Sequence, residues 1–251
     1  MKSGKPRGPG KALVRSQVPT SGDKELVKNH YQSDLEVSDA ALFVRNALKA
    51  RESLEMIVLC ADIRKSTFLM KEAADFSRYA EITGKFVAAA AALIRSNGGW
   101  FDKFTGDGFL AYWITKEGKW SSAISQLMTV SHSLLLTFQD QVIPDYRKNS
   151  KNFPAGVGLS LGIDAGATHF AKIANDLTIV GSPVVGAVRM VSCAKPWELV
   201  ANVYVGEILY QSRGQLVEKD VQLTMEHRGT KEYEMQEVYP MVFRKKMGVN
   251  C

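Results

Sequence analysis

Residues 100–114 have the sequence WFDKFTGDGFLAYWI, which predicts the fold more specifically than any other segment. Two β-prone runs are separated only by Gly106-Asp107-Gly108. A short connection rich in glycine favours a β-hairpin, with Asp107 at its tip. A carboxylate at such a tip adds nothing to a core, so Asp107 is a candidate functional residue.

Strand and helix patterns alternate on both sides of this hairpin. Residues 54–61 form an apolar run typical of a central strand buried on both faces, with Asp62 at its exit. Residues 67–96 have a long helical pattern that stops at Asn97-Gly98-Gly99. Beyond the hairpin the patterns predict a helix at 120–146, a strand at 157–164 that turns at 165–166, and a strand at 169–174.

The order strand, helix, strand, strand, helix, strand predicts an α+β fold with a ferredoxin-like βαββαβ core. Added C-terminal helices and strands are predicted at 182–194 (helix), 199–203 (strand), 206–212 (helix) and 221–243 (hairpin). We expect one domain at 35–251, with a leading helix at 38–50. Residues 1–34, rich in Gly, Pro, Ser and Lys, are expected to form a flexible basic arm.

Composition and charge limit the possible functions. The chain has 251 residues, 45% of them hydrophobic, which is enough for a sizeable core. It has no run of about 18 apolar residues and no apolar segment near its basic start, so we expect a cytoplasmic protein without stable membrane insertion. Much of the formal charge of +6 lies near the two ends of the chain, which argues against a nucleic-acid partner.

Asp62 and Asp107 form the strongest candidate site. The first strand and the central hairpin are neighbours in a ferredoxin-like sheet, which brings the two carboxylates together. Adjacent carboxylates repel unless a cation lies between them, and Mg²⁺ or Mn²⁺ prefers such oxygens. Flanking glycines and the backbone N–H groups of residues 63–67 would let a polyphosphate approach, which indicates phosphoryl chemistry. The alternative is a helix cap at Asp62 and a simple turn at Asp107.

Four sequence elements resemble the class III nucleotidyl cyclases, the adenylate and guanylate cyclases with a palm-like catalytic domain. The resemblance covers residues 54–239. It implies conversion of a nucleoside triphosphate to a 3′,5′-cyclic nucleotide and pyrophosphate. The elements are D-I-x-x-x-T from Asp62, K-x-x-G-D from Lys103, GIDAG at 162–166, and Val180-Gly181 followed by Ala187-Val188-Arg189.

The resemblance also implies roles for individual residues. Asp62, Ile63 and Asp107 would hold two divalent metal ions, Mn²⁺ or Mg²⁺. Arg189 would be the catalytic residue that stabilises charge on the transferring phosphoryl group. The substrate would be contacted by Lys103 and Thr178 at the base, and at the phosphates by Ile63, Lys65, Ser66 and Thr67 and by a late residue, Lys231 or Arg228.

Two departures from the family pattern bear on the substrate. The Gly and Phe of the usual D-I-x-G-F-T element are Lys65 and Ser66, and the Asn that orients the ribose is Val185. A lysine ammonium can donate a hydrogen bond to a purine ring nitrogen or to a pyrimidine carbonyl, and a threonine hydroxyl can donate or accept. Lys103 and Thr178 therefore fit ATP but do not exclude a pyrimidine nucleotide. The compact chain, the lost Asn and the segment 179–187 are similar to the pyrimidine cyclases of bacterial antiphage (Pycsar) systems. We therefore favour cyclic UMP or cyclic CMP over cyclic AMP, read by an unidentified effector.

Class III active sites lie between two subunits, so the resemblance implies a homodimer with composite sites. One subunit would supply the aspartates, and the other Lys103, Thr178 and Arg189. The alternatives are a degenerate nucleotide-binding dimerisation module and a basic nucleic-acid-binding protein. No Walker element occurs. Asp164 is interpreted as a turn residue and His169 as a packed or surface histidine.

Overall fold

The structure is a computed structural model that describes residues 39–115, 120–174, 176–211, 221–230 and 233–243. The predicted arm at 1–34 lies outside the described residues. In chain order the helices and strands are α1 (Asp39–Ala50), β1 (Ser53–Arg64), α2 (Ser66–Glu72), α3 (Phe76–Ser96), β2 (Trp100–Phe104), β3 (Gly108–Ile114), α4 (Trp120–Thr137), α5 (Ile143–Lys148), β4 (Gly158–Ile173), β5 (Asp176–Val180), α6 (Ser182–Cys193), β6 (Glu198–Asn202), α7 (Val203–Gln211), β7 (Val221–Leu223), β8 (Glu226–Thr230) and β9 (Tyr233–Phe243).

The strand order of the sheet confirms the predicted fold class. In the described part of the chain, nine strands form one sheet in the order β2-β3-β1-β4-β6-β9-β7, with β5 paired to β4 and β8 to β9. Strand β1 pairs antiparallel with both β3 and β4. The order β4-β1-β3-β2 is that of a ferredoxin-like βαββαβ core. Strands β6 to β9 extend this core on the β4 side.

Strand β1 lies inside the sheet, between β3 and β4, and is covered on both faces. Leu59 and Ile63 belong to the larger core, with side chains of α3 and α4. Met56 and Val58 point to the other face, where α1 and α6 pack. Because both faces are buried, the strand is a nearly continuous apolar run, as predicted. It extends to Arg64, so Asp62 lies inside the strand, not beyond its exit as expected.

The predicted helix at 67–96 is in fact two helices. Asp75 begins α3 by accepting hydrogen bonds from the N–H groups of Ser77 and Arg78, at 2.8 and 3.3 Å. Asn149 fixes the break from outside, because its side-chain amide donates to the carbonyl oxygen of Asp75 and its own carbonyl oxygen accepts from the Ala74 N–H. The helical pattern of the sequence hides a break that depends on a distant residue.

The predicted helix at 120–146 has an irregular end. A π-helical turn at Phe138–Val142 joins α4 to α5. It carries Phe138 into the core, where its ring lies edge-on to Phe86 with 5.0 Å between centroids. None of the helices in the described ranges is long and apolar enough to cross a membrane.

The turn predicted at 165–166 is wrong, because β4 continues through these residues. The first part of β4 pairs with β1 up to His169, and the last part pairs with β5, a strand that the sequence patterns did not predict. Asp164 therefore lies in mid-strand opposite Val58. His169 is exposed, in agreement with a surface histidine. The hairpin of β4 and β5 is what places Thr178.

Candidate active site

Backbone pairing brings Asp62 and Asp107 to the same end of the sheet. Asp62 lies opposite Gly108, the residue that follows Asp107. The N–H of Ile63 donates a 3.1 Å hydrogen bond to the carbonyl oxygen of Asp107, which ties the hairpin tip to β1. The three residues assigned to metal binding are thus neighbours, with Asp62 and Ile63 on β1 and Asp107 in the turn before β3.

Different physical constraints require glycine at the two positions that flank Asp107 in the hairpin tip. A Cβ on Gly108 would lie 1.9 Å from the carbonyl oxygen of Ala61, so the two strands can approach only without a side chain there. Gly106 has φ +101, where a Cβ would meet nothing within 4 Å, so its need is conformational. The turn is closed by a 2.9 Å hydrogen bond from the N–H of Thr105 to the carbonyl oxygen of Gly108.

The two carboxylates have different polar partners. The hydroxyl of Ser66 donates a 2.5 Å hydrogen bond to Oδ2 of Asp107. Oδ2 of Asp62 is 3.2 Å from Nη1 of Arg64. Both aspartates are only partly buried. They are therefore held in place at an edge that remains accessible.

Arg64 is a site residue that the sequence analysis missed. Its Nε donates a 2.9 Å hydrogen bond to the hydroxyl of Ser160, and its Nη2 donates to the carbonyl oxygen of Val191 on α6. It therefore links Asp62 to the helix that carries Arg189. The sequence could have identified Arg64, because residues two apart on a strand point to the same face, which puts Arg64 beside Asp62.

The loop assigned to phosphate binding contains a residue, Lys65, in a backbone conformation that glycine adopts most easily. Lys65 lies just before α2 with φ 65, a left-handed conformation that a side chain disfavours. This gives a physical reason for the glycine of the family pattern at this position. Ser66 is buried against Asp107, whereas Lys65 and Thr67 are exposed.

Lys103 and Thr178 converge on a third residue, Asp102. The hydroxyl of Thr178 donates a 2.9 Å hydrogen bond to Oδ2 of Asp102, and Nζ of Lys103 is 3.5 Å from the same oxygen. The side chain of Asp102 is 1% exposed. The sequence analysis missed Asp102, although an acidic residue inside an apolar strand is a signal that could have found it.

Arg189 and Val185 both lie on α6. Arg189 is partly buried, while Val185 is 48% exposed. Helix α6 packs closely on β4, since a Cβ on Gly186 would lie 1.6 Å from Oδ2 of Asp164. At the position where the resemblance leads us to expect the ribose-orienting Asn, this chain therefore has an exposed apolar side chain, Val185.

Of the two candidates for the late phosphate contact, only Arg228 lies in the described part of the chain. Arg228 forms ion pairs with Glu198 at 2.6 Å and with Glu226 at 2.8 Å, so its guanidinium serves to join β6 and β8. Lys231, the other candidate, lies outside the described residues.

Two buried groups near the site have shifted pKa values. Burial raises the pKa of Asp164 to about 6, against the opposing effect of hydrogen bonds from the Ala165 N–H at 2.7 Å and from the amide of Asn202. Burial, followed by the nearby charge of Asp62, raises the pKa of the Cys60 thiol to about 12. The thiol is therefore uncharged and unreactive at neutral pH.

Comparison with solved structures places this arrangement in a known fold. A scan against family models and a search of curated proteins gave no match to the sequence. The adenylyl cyclase CyaB from P. aeruginosa superposes with a TM-score of 0.64 at 16% identity, over 78% of this chain and 97% of that one. The guanylate cyclase domain of RhGC from Catenaria anguillulae, solved in complex with GTP, gives 0.57 at 14% identity, over 76% and 98%.

A third structure, the adenylate/guanylate cyclase/hydrolase from Silicibacter pomeroyi, gives a TM-score of 0.56 at 20% identity, over 76% of this chain and 98% of that one. The described chain spans nearly the whole length of all three domains. Such low identities establish the fold alone. The chain therefore has the α+β fold of the class III nucleotidyl cyclase catalytic domains.

Proposed function

We propose that the protein is a nucleotidyl cyclase that converts a nucleoside triphosphate to a 3′,5′-cyclic nucleotide and pyrophosphate. The observation that carries this proposal is the placement of Asp62 and Asp107 side by side on β1 and the β2–β3 hairpin of a cyclase fold. In this reaction the ribose 3′-oxygen bonds to the α-phosphorus and loses its proton. The bond from the α-phosphorus to the bridging oxygen breaks, and pyrophosphate leaves.

The oxygen donors at this edge fit hard divalent cations. No cluster of three or more His, Cys, Asp or Glu side chains that could hold a metal occurs among the described residues, so binding would depend on two carboxylates and backbone oxygens such as that of Ile63. So small a protein contribution suits Mg²⁺ or Mn²⁺ and leaves positions for phosphate oxygens. When bound, two such ions would supply activation of the 3′-hydroxyl and neutralisation of the triphosphate.

The chain's own groups hold these ligands and the phosphates. Ser66 orients the Asp107 carboxylate, and Arg64 orients Asp62 while bonded to α6. Lys65 lies between Arg64 and Ser66 in the chain and is exposed, so its ammonium would attract a triphosphate to this edge. Arg189 would bind the oxygens of the transferring phosphoryl group, a role that guanidinium geometry suits.

A homodimer would complete the active site. Val185 and Val188, on the same helix as Arg189, are 48% and 46% exposed, and Val180, at the end of β5 just before this helix, is 38% exposed. Exposed valines on and beside the helix that carries Arg189 support its burial against a second subunit. In the composite site that we propose, Asp62 and Asp107 come from one subunit, and Lys103, Thr178 and Arg189 come from the other.

We also propose that the base is a pyrimidine and that the product is an antiphage signal read by a separate effector. The support is the resemblance to the antiphage pyrimidine cyclases in the compact chain, the segment 179–187 and the apolar, exposed Val185 at the position of the ribose Asn. An antiphage role predicts that the cyclic nucleotide rises after phage infection of bacteria that express the protein.

The test is to incubate the purified protein with Mn²⁺ and ATP, GTP, CTP or UTP, with Asp107→Ala as the control, and to identify products by mass spectrometry. Cyclic UMP or cyclic CMP from the wild-type protein alone is the expected result. Cyclic AMP alone would keep the cyclase and overturn the pyrimidine assignment. No product from any triphosphate would contradict the cyclase and favour a degenerate binding module.

A further inference from the structure

Asp102 occupies an irregular position in the hairpin. Phe101 pairs with Ala111 and Lys103 pairs with Leu110, so Asp102 is an extra residue without a partner in β3. Such a bulge changes the direction in which a side chain points. It allows Asp102 and the adjacent Lys103 to approach the same point on β5, where Thr178 lies.

A buried carboxylate at this position requires compensation. Desolvation of the charge is costly unless hydrogen bonds and a cation satisfy it. Two compensating contacts come from the residues assigned to the base, a 2.9 Å hydrogen bond from Thr178 and the ammonium of Lys103 at 3.5 Å. A fold that needed only a packed strand would be served equally well by an apolar residue here.

The hydrogen bond to Asp102 fixes the chemical character of Thr178. A threonine hydroxyl has one proton to donate and two lone pairs to accept with. A carboxylate can only accept, so the proton of Thr178 is committed to Asp102. Its oxygen can then only accept from any other group. The ammonium of Lys103 has three protons, so it stays a donor while one of them points to Asp102.

We propose that Asp102 is the positioning residue that sets the base specificity of the enzyme. It makes Thr178 an obligate acceptor beside Lys103, an obligate donor. A base can then bind only in the orientation that turns an N–H to Thr178 and a carbonyl or ring nitrogen to Lys103. Each base has such a pair, an amino group beside a ring nitrogen in adenine and cytosine and a ring N–H beside a carbonyl in guanine and uracil, so the choice among bases depends on where that pair lies relative to the ribose. This inference deepens the proposed function and rests on it.

The test measures which products form when all four nucleoside triphosphates compete at equal concentration with Mn²⁺. In Asp102→Asn the side-chain amide can donate to the Thr178 oxygen. The threonine hydroxyl is then free to donate to a base as well as to accept from it, so the selection among bases weakens. We expect the ratio of the first to the second product to fall about tenfold or more. The change should be mainly in KM, with the melting temperature within about 5 °C of wild type.

Further variants make the test specific. Thr178→Val removes the hydroxyl through which Asp102 is proposed to act, so adding Asp102→Asn to it should cause no additional change in product ratio. Asp176→Asn, at the exposed start of the same strand β5, is the matched control and should leave the ratio unchanged. Asp102→Ser replaces Asp102→Asn if that variant does not fold, with the same expected shift, because a hydroxyl also donates and accepts.

The outcomes separate this inference from the proposed function. A folded Asp102→Asn protein whose product ratio stays within about twofold of wild type would overturn the role of Asp102 while the cyclase stands. An equal shift with and without the Thr178 hydroxyl would also overturn it. If the wild-type protein forms no cyclic nucleotide, the proposed function fails, and the inference fails with it.

Discussion

Asp102 and Asp107 are five residues apart on one hairpin, but the fold places them in opposite environments. Asp102 is buried at a bulge and is bound by Thr178 and Lys103. Asp107 is partly exposed at the tip, where its side chain accepts from Ser66 and its backbone is bound to β1. The two residues are of the same type. It is therefore the backbone, a bulge at Asp102 and a turn at Asp107, that determines which carboxylate is available to bind a cation.

The largest expected effect is at the exposed member of this pair. Asp107→Ala should lower cyclic nucleotide formation by more than about 100-fold, because it removes a metal ligand. Its melting temperature should change by less than about 3 °C, since the side chain is not part of the core. Steady-state assays and thermal unfolding measure both. Activity within about tenfold of wild type would remove Asp107 from the metal site.

The two glycines around Asp107 provide the second test. Gly108→Ala should lower the free energy of unfolding by about 3 kcal/mol or more, because the new methyl group would overlap the Ala61 carbonyl oxygen. Gly106→Ala has open space and should cost only about 1 to 2 kcal/mol through its backbone conformation. Urea unfolding of the two variants compares them. Equal decreases in the free energy of unfolding would mean that the close contact between Gly108 and the Ala61 carbonyl oxygen does not constrain the hairpin tip.

Asp164 is a third carboxylate, partly buried beside neutral hydrogen-bond donors, and its raised pKa predicts a pH dependence of stability. Its pKa of about 6 in the folded protein lies above the value of about 3.9 expected after unfolding. The folded state therefore binds this proton more tightly. Its contribution to stability is present below about pH 4 and is lost as the pH rises through about 6.

Asp164→Asn should remove this contribution. The difference in free energy of unfolding between variant and wild type should change by roughly 1 to 2 kcal/mol between pH 4 and pH 7, in favour of the variant at pH 7. This is less than the full pKa difference implies, because the carboxyl is partly solvated. Urea titrations at several pH values measure it. A constant difference would contradict the raised pKa.

The smallest effect is expected in the loop beside Asp107. Lys65→Gly should stabilise the protein by about 0.5 to 1 kcal/mol, because glycine adopts the left-handed conformation of Lys65 without strain. Lys71→Gly, in the last turn of α2, is the control and should destabilise it by about 1 kcal/mol. Destabilisation by both would show that Lys65 itself stabilises the loop.

The core of the fold was predictable from sequence because its signals are local. Apolar runs defined β1 and the hairpin, and the strand order then brought Asp62 beside Asp107. Features that depend on distant contacts were not predictable. The helix break at Asp75 requires Asn149, and the strand through Asp164 requires pairing with β1.

The same distinction applies to the candidate site. Lys103 and Thr178 were found by resemblance, but their meeting point at Asp102 depends on a bulge and on β5. The position of Arg189 against a second subunit stays a prediction.

In the proposed dimer each hairpin contributes to both composite sites, Asp107 to one and Lys103 to the other. Mixing mutant subunits distinguishes this arrangement from sites formed within one subunit. Asp107→Ala and Arg189→Ala homodimers should each be inactive. After dissociation and random reassociation, half of the dimers are mixed and each has one intact site, so about a quarter of wild-type activity should return. No recovery in mixed dimers verified by differently tagged subunits would contradict the account.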